Sequence, residues 1–185
     1  NGAAYLGDLL QSLAQQSHGN IEVILSDDGS TDDLNHALSQ IDYPFKLIRQ
    51  NQSGPAAARN TGIKNARYDW LAFLDVDDIW PDGRLQLLAR DLALHENAGV
   101  VRGAAVTFST DPETGAYVNA YHPRQNYQFF IGCGLYRRHV FDDVGLFDET
   151  LTYAEDTDWY WRADELKLRV IYIADTVLHL RTHDM

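Results

Sequence analysis

The sequence predicts an α/β fold in which a mixed, mostly parallel sheet is flanked by helices. Three observations carry that reading. Helical and strand patterns alternate over residues 1–95, which favours a largely parallel sheet. Two of those strands, in "IEVILSDDG" (21–29) and "WLAFLDVDD" (70–78), end in carboxylates. Ligands of open α/β sheets bind outside the carboxyl ends of the strands, so both acidic clusters point to one edge. The second half changes character: runs at 100–108, 116–121 and 129–138 read as strands, with a turn at "DPETG" (111–115), and they imply a mixed sheet there.

The elements follow in order. Leu6, Leu9, Leu10 and Leu13 recur at helical spacing and predict a helix over about 3–17. "STDD" (30–33) reads as a helix start, with Ser30 as cap and Asp33 three residues on. Leu34, Leu38 and Ile41 stripe that helix, and "FKLIR" (45–49) is the second strand. Pro55 suits the first turn of the helix in "GPAAARNTGIKNA". "WLAFL" (70–74) is the third strand; Pro81 opens a helix striped by Leu85, Leu88 and Leu92. "EDTDWYWRADEL" (155–166) is helical, and "RVIYI" (169–173) and "TVLHL" (176–180) are two closing strands. With no repeat or linker, residues 1–185 read as one domain: a nucleotide-binding half, 1–95, and an acceptor and catalytic half, 96–185. The chain opens at Asn1 directly before a helical pattern, so it reads as a fragment whose first strand is missing.

Charge narrows the function. There are 15 basic against 27 acidic side chains, a net −12 with His neutral. Nucleic acid, which needs a basic face, is thereby excluded as a general partner. One cysteine, Cys133, gives no disulfide framework, which fits a reducing compartment. No apolar run approaches the roughly 20 residues that cross a bilayer. The expected location is cytoplasmic, with peripheral membrane contact left open.

Asp75, Asp77 and Asp78 lie within four positions after an apolar run. Like charges this close repel, and burying them unpaired is costly. Water at a strand end would offset the cost; so would Mg²⁺ or Mn²⁺, hard cations that take carboxylate oxygens and are shared with substrate phosphates. "DDGSTD" (27–32) is a good turn and cap, yet two adjacent acids exceed what a turn requires. Glu155, Asp156 and Asp158 could simply stabilise a helix N-terminus. Cys133 reads as a small buried residue. His179 and His183 are four apart but on strand and loop, a spacing that makes a metal pair only on a helix. Trp159 and Trp161 read as core, and Tyr136, Arg137 and Arg138 as either acceptor-facing or structural.

Together, "NGAAYLGDLLQSLAQQS", "IEVILSDDGSTDD", "GPAAARNTGIKNA", "WLAFLDVDDIWPDGRL", "LYRRHVFDDVGLFDETL" and "AEDTDWYWRADELK" resemble, in this order, the family 2 glycosyltransferases and their Rossmann-like GT-A fold. Asn1 is similar to the last residue of the turn that ends that family's first strand. The resemblance implies an inverting transfer of a sugar from a nucleotide-diphosphate donor to an acceptor hydroxyl. It implies that Asp27, Asp28, Arg59 and Asp75 meet the nucleotide, and that Asp77, with Asp75, holds Mn²⁺ or Mg²⁺. His183 or Arg181 would reach the metal or diphosphate from the C-terminal loop. Asp156 would be the general base and Glu155 its or the acceptor's orienting neighbour. The implied donor is a UDP-sugar first, with dTDP and GDP as alternatives, and the acceptor a saccharide, a lipid-linked group or a small-molecule hydroxyl. The Gln-x-x-Arg-Trp-like segment of processive synthases is not in this sequence. Alternatives are a nucleotidyltransferase, which would want a basic Gly-rich loop, a haloacid-dehalogenase-like phosphatase, which Ile79 fits poorly, and a non-catalytic nucleotide-sugar-binding protein of the same fold.

Overall fold

In the computed structural model, which describes residues 1–16, 20–111, 114, 116–119 and 129–182, the leucine stripe near the start is wholly buried. It forms α1 (Leu6–Ala14) behind a 3₁₀ turn at Ala3–Tyr5. The helix ends at Ala14, and the buried Gln16 side chain ties its end down. Its Nε2 donates to Ser12 O and Pro81 O at 3.0 Å, and its Oε1 accepts from Leu85 N.

β1 (Ile24–Asp28) follows, then α2 (Leu34–Ser39). The cap of α2 is Asp33, which accepts from His36 N, in place of the expected Ser30. β2 (Lys46–Gln50) runs parallel to β1, with Asp27 opposite Arg49 and Asp28 opposite Gln50. α3 (Pro55–Asn65) begins after Gly54, whose φ of 94° favours glycine.

β3 is only Trp70–Leu71. The strand expected over 70–74 ends early because its antiparallel ladder with β6 (Gly134–Arg137) stops at Leu71↔Tyr136. α4 (Arg84–Leu94), β4 (Val100–Thr110), β5 (Tyr117–Asn119), a 3₁₀ turn (Ile131–Cys133), α5 (Val140–Asp143) and α6 (Glu155–Glu165) complete the scaffold before β7 (Val170–Arg181).

β4 is the central strand. It pairs antiparallel with β5 and β6, and parallel with β7. The described strands form two sheets: a parallel pair, β1–β2, and a five-stranded sheet in the order β3-β6-β4-β5 with β7 beside β4. The larger sheet is mixed as expected, but among the described residues only the β1–β2 and β4–β7 pairings are parallel, so it is not mostly parallel. The two expected closing strands are one. The polar break at Ala174–Asp175 is absorbed as a bulge where the register with β4 shifts around Ala104. Gly103 permits it: a Cβ there would lie 2.6 Å from Asp175 O.

Two cores cover the sheet. α1 and α4 bring Leu9, Leu13, Leu88 and Leu92 against Val101, Leu135 and Val177. The other core gathers Ile63, Leu71, Tyr136, Phe141, Phe147 and Trp159 from α3, α5, α6 and the strands. Helices on both faces of a sheet are the layer arrangement that buries both. No helix among the described residues is long and apolar enough to cross a membrane.

The burial pattern gives a contrast to measure. Leu88 is fully buried and Leu94, on the same helix, is 70% exposed. Leu88→Ala is expected to lower unfolding stability by about 2–5 kcal/mol and Leu94→Ala by less than about 0.5 kcal/mol, read by urea denaturation.

Candidate active site

Site residues come from four places in the chain, and one guanidinium joins most of them. Arg59 projects from the first turns of α3. Its Nη2 lies 3.1 Å from both carboxylate oxygens of Asp75. Its Nη1 donates to Asp156 Oδ1 at 2.8 Å and also to Glu155 Oε1. Burial disfavours the Arg59 cation, but Asp75, Asp156 and Glu155 outweigh it and hold the group charged. The fold has therefore placed the Asp-x-Asp segment beside the Glu-Asp pair.

Ala154, at φ 64°, sets the direction of that pair. It is a left-handed residue with a Cβ, immediately before α6. Such a conformation costs on the order of 1 kcal/mol and turns the first helical residues back toward Arg59. The third acid behaves differently: Asp158 accepts from Arg162 one turn on, at 2.9 Å. An ion pair along its own helix accounts for Asp158, whereas Glu155 and Asp156 reach across to Arg59.

Asp156 is held on both oxygens. Its Oδ2 accepts the Ile131 N–H at 2.8 Å. Burial pushes its carboxyl up to about 6, with Arg59 and the Ile131 amide pulling it down and Asp75 and Glu155 pushing it up. A carboxylate titrating there is ionised at neutral pH and is a better proton acceptor than an ordinary aspartate.

The other acids have more structural duties. Asp28 accepts from Gln50 Nε2, Ser53 N and Gly54 N, fixing the loop that enters α3. Asp27 caps the turn at Ser30 N and lies 3.4 Å from Arg49. Asp78 is buried and accepts from Arg181 N; burial pushes its carboxyl up to about 7. Arg181 also donates to Asp77 O and to Asp8, so it anchors the acidic loop from β7.

Asp27, Asp28, Arg59, Asp75 and Asp77 all line one cleft of about 970 Å³, running between β1 and β3, whose floor is apolar. Asn1 and Gly2 sit between its two acidic loops. Asn1 Oδ1 accepts from Thr31 N, Gly2 N donates to Asp32, and a Cβ at Gly2 would collide with Val76.

Among the described residues no three His, Cys, Asp or Glu side chains are close enough to hold a metal ion by themselves. Two carboxylates on one loop, with Asp75 half exposed to the cleft, nevertheless fit a hard cation that completes its shell with substrate phosphates and water. His183 lies outside the described residues.

Of the remaining candidates, only Trp161 departs from its reading. Tyr136 is fully buried, not acceptor-facing. Arg137 and Arg138 donate to backbone carbonyls of Ala98, Leu92, Ile63, Ala66 and Tyr68. Trp159 is core, but Trp161, two residues on and so on another side of the helix, is 64% exposed. Cys133 is buried, and burial raises its thiol to about 11.

Two contributions were not visible in the sequence. One is the Ile131 amide, a backbone group with no side-chain signature. The other is Asn60, next to Arg59, whose buried amide exchanges hydrogen bonds with the backbone of Phe147 and so docks the loop before α6. Its only trace is an amide on an otherwise apolar face of α3.

Comparisons with known proteins place this arrangement. A family model described as glycosyl transferase family 2 matches residues 1–145. EpsH of Bacillus subtilis (strain 168) is 30% identical over 99% of this chain, which spans 58% of that protein. In structure the chain is similar to residues 1–349 of S. aureus TarS in complex with UDP, with a TM-score of 0.79 and 24% identity, covering 98% of this chain and 58% of that one. It is also similar to the mannosyltransferase PcManGT of Pyrobaculum calidifontis in complex with GDP-Man and Mn²⁺, with a TM-score of 0.72, 20% identity, and coverage of 97% and 53%. These two likenesses show the GT-A fold.

The Arg59 cluster generates a pH prediction. The folded carboxyl of Asp156 titrates above its ordinary value of 3.8. Its contribution to stability is therefore fully present below pH about 4 and lost as pH rises through about 6. A ¹³C-carboxyl NMR titration should find Asp156 near 6, and Arg59→Gln, which removes the cation, should move it higher. A value at or below 4 in the wild type, or a downward move in the variant, contradicts this electrostatic account.

Proposed function

Because the chain belongs to glycosyl transferase family 2, we propose that it moves a sugar from a nucleotide-diphosphate donor to an acceptor hydroxyl, with inversion at the anomeric carbon. The observation that carries the proposal is the reach of Arg59. It joins Asp75 to Glu155 and Asp156, residues about eighty positions further along the chain, so the donor-side and acceptor-side acids share one site.

The roles follow from position and chemistry. Asp27, Asp28, Arg59 and Asp75 border the cleft that would take the nucleotide, and Asp77 with Asp75 would hold Mn²⁺ or Mg²⁺. Such a cation supplies charge neutralisation for the departing diphosphate. Asp156 accepts the proton of the acceptor hydroxyl as that oxygen attacks the anomeric carbon. The bond from that carbon to the phosphate oxygen breaks, and its electron pair leaves with the nucleoside diphosphate. One carboxylate is enough for this single displacement, provided it is ionised and aimed. Glu155, held by the same guanidinium, fixes the distance between Arg59 and the first turn of α6.

The donor proposed is a UDP-sugar, in keeping with the UDP carried by the structurally similar TarS; the acceptor class proposed is a saccharide or lipid-linked hydroxyl. Residues 1–95 would serve the nucleotide and 96–185 the acceptor. Since the chain spans 58% of EpsH and of the TarS chain and a smaller share of several other relatives, the acceptor is the property most dependent on whatever else those proteins carry.

Calorimetry with UDP, GDP and dTDP, each with and without Mn²⁺, tests the donor side. The expected result is UDP binding that requires Mn²⁺ and weakens more than about tenfold in Asp77→Ala, in line with loss of a charged ligand. Asp156→Asn should bind UDP as the wild type does, yet lose about 10²–10⁴ in UDP release from UDP-GlcNAc, the usual worth of a general base. A folded protein that binds none of the three nucleotides overturns the proposal.

A further inference from the structure

The carboxylate of Asp156 is held by a circuit of hydrogen bonds that closes through two buried tyrosines. The Ile131 N–H donates to Asp156 Oδ2 at 2.8 Å. The carbonyl of the same residue accepts from Tyr136 Oη at 2.8 Å, beside the Gly134 N–H that closes the 3₁₀ turn. Tyr136 Oη is itself in hydrogen-bond contact with Tyr160 Oη. Since the Tyr136 proton goes to the carbonyl, the Tyr160 hydroxyl must be the donor between the two. Tyr160 lies one turn after Asp156 on α6, so the circuit returns to the helix from which it started.

We infer that Tyr136 and Tyr160 are positioning residues for the base: they hold Ile131 by its carbonyl, and so hold the N–H on the same residue that fixes where Asp156 points. This rests on Asp156 being the base, as proposed above.

Geometry and burial favour that role over simple packing. Ile131, Tyr136 and Tyr160 are each no more than 4% exposed. A single 3₁₀ turn is weakly held by its own bonds, and here side chains from β6 and α6 supply the rest. Burial raises both tyrosines above their ordinary value, so they stay protonated and remain donors throughout the working range. The aromatic faces are already used: Tyr136 packs edge-on against Phe73 and Trp159, and the Arg102 guanidinium lies 4.4 Å over the Tyr160 ring. The hydroxyls are thus free to serve the Ile131 carbonyl, and removing them leaves the rings packed. Charged groups facing Asp156 are Arg59 from α3, Asp75 from the acidic loop and Glu155 on its own helix. None of them touches this circuit on the Ile131 side.

Tyr136→Phe and Tyr160→Phe delete one oxygen each. Three readouts are taken on each folded variant: UDP binding with Mn²⁺, UDP release from UDP-GlcNAc, and hydrogen exchange of the Ile131 amide. Expected are binding within twofold of wild type, a loss in kcat on the order of tenfold as the base is misplaced, and faster exchange at Ile131, larger for Tyr136→Phe. Unchanged exchange and unchanged kcat in both variants overturn the inference. Equal weakening of UDP binding and kcat also overturns it, because a general loss of structure then explains the effect. Asp156→Asn separates the two levels. If it releases UDP as fast as the wild type, the base assignment falls and this positioning role falls with it. If it is inactive while both tyrosine variants keep full rate, the clamp alone is overturned.

Discussion

The arrangement depends on one cation placed among three carboxylates. Asp75, Glu155 and Asp156 converge in a partly dehydrated site where, alone, they would repel one another and protonate. Arg59 is the group that makes their convergence possible. Its planar fork can hold carboxylates on two sides at once, which a lysine ammonium cannot do with the same geometry. Its own position is secured by α3, whose next residue, Asn60, bonds to the backbone of Phe147. A helix start, an acidic loop and a second helix start are therefore fixed with respect to one another through two adjacent side chains.

Around that centre, several polar side chains, one of them also lining the cleft, hold backbone. Asp28 organises the entry to α3, Arg181 the loop carrying Asp77, and Arg84 the turn at Gly132 and Gly134 together with Val177. Arg84 is wholly buried with no carboxylate partner among the described residues, and burial lowers it to about 9. It lies 4.0 Å over the Trp80 ring and donates to the carbonyls of Val177, Gly132 and Gly134. These contacts rigidify the site from behind. A site that must aim a proton acceptor within a fraction of an ångström needs such support more than it needs additional acids.

The structure also separates two kinds of misreading. Boundaries moved where pairing decides them. "WLAFL" has strand composition throughout, but only Trp70 and Leu71 have ladder partners in β6. "ADT" has the composition of a turn, but β4 pairs on both sides of it, with Gly103 making room. Orientation moved where helix period decides it: Trp159 and Trp161 look alike in sequence and lie on different sides of α6. In the two strand cases the local signal was real, and a partner distant in the chain overruled it.

By itself, the sequence determined the α/β class, because alternating apolar periods can be buried only in layered helices and sheet. It also determined which acids stand at the ends of strands and helices, since those positions follow from local pattern. It could not show that Arg59 reaches Asp75, Glu155 and Asp156 together, or that Tyr136 is buried behind the residue whose amide holds Asp156. Those facts are distances between residues far apart in the chain. Only the packing of α3 and α6 into one core sets them, because contact between remote segments is a property of the folded whole and leaves no local periodicity to read.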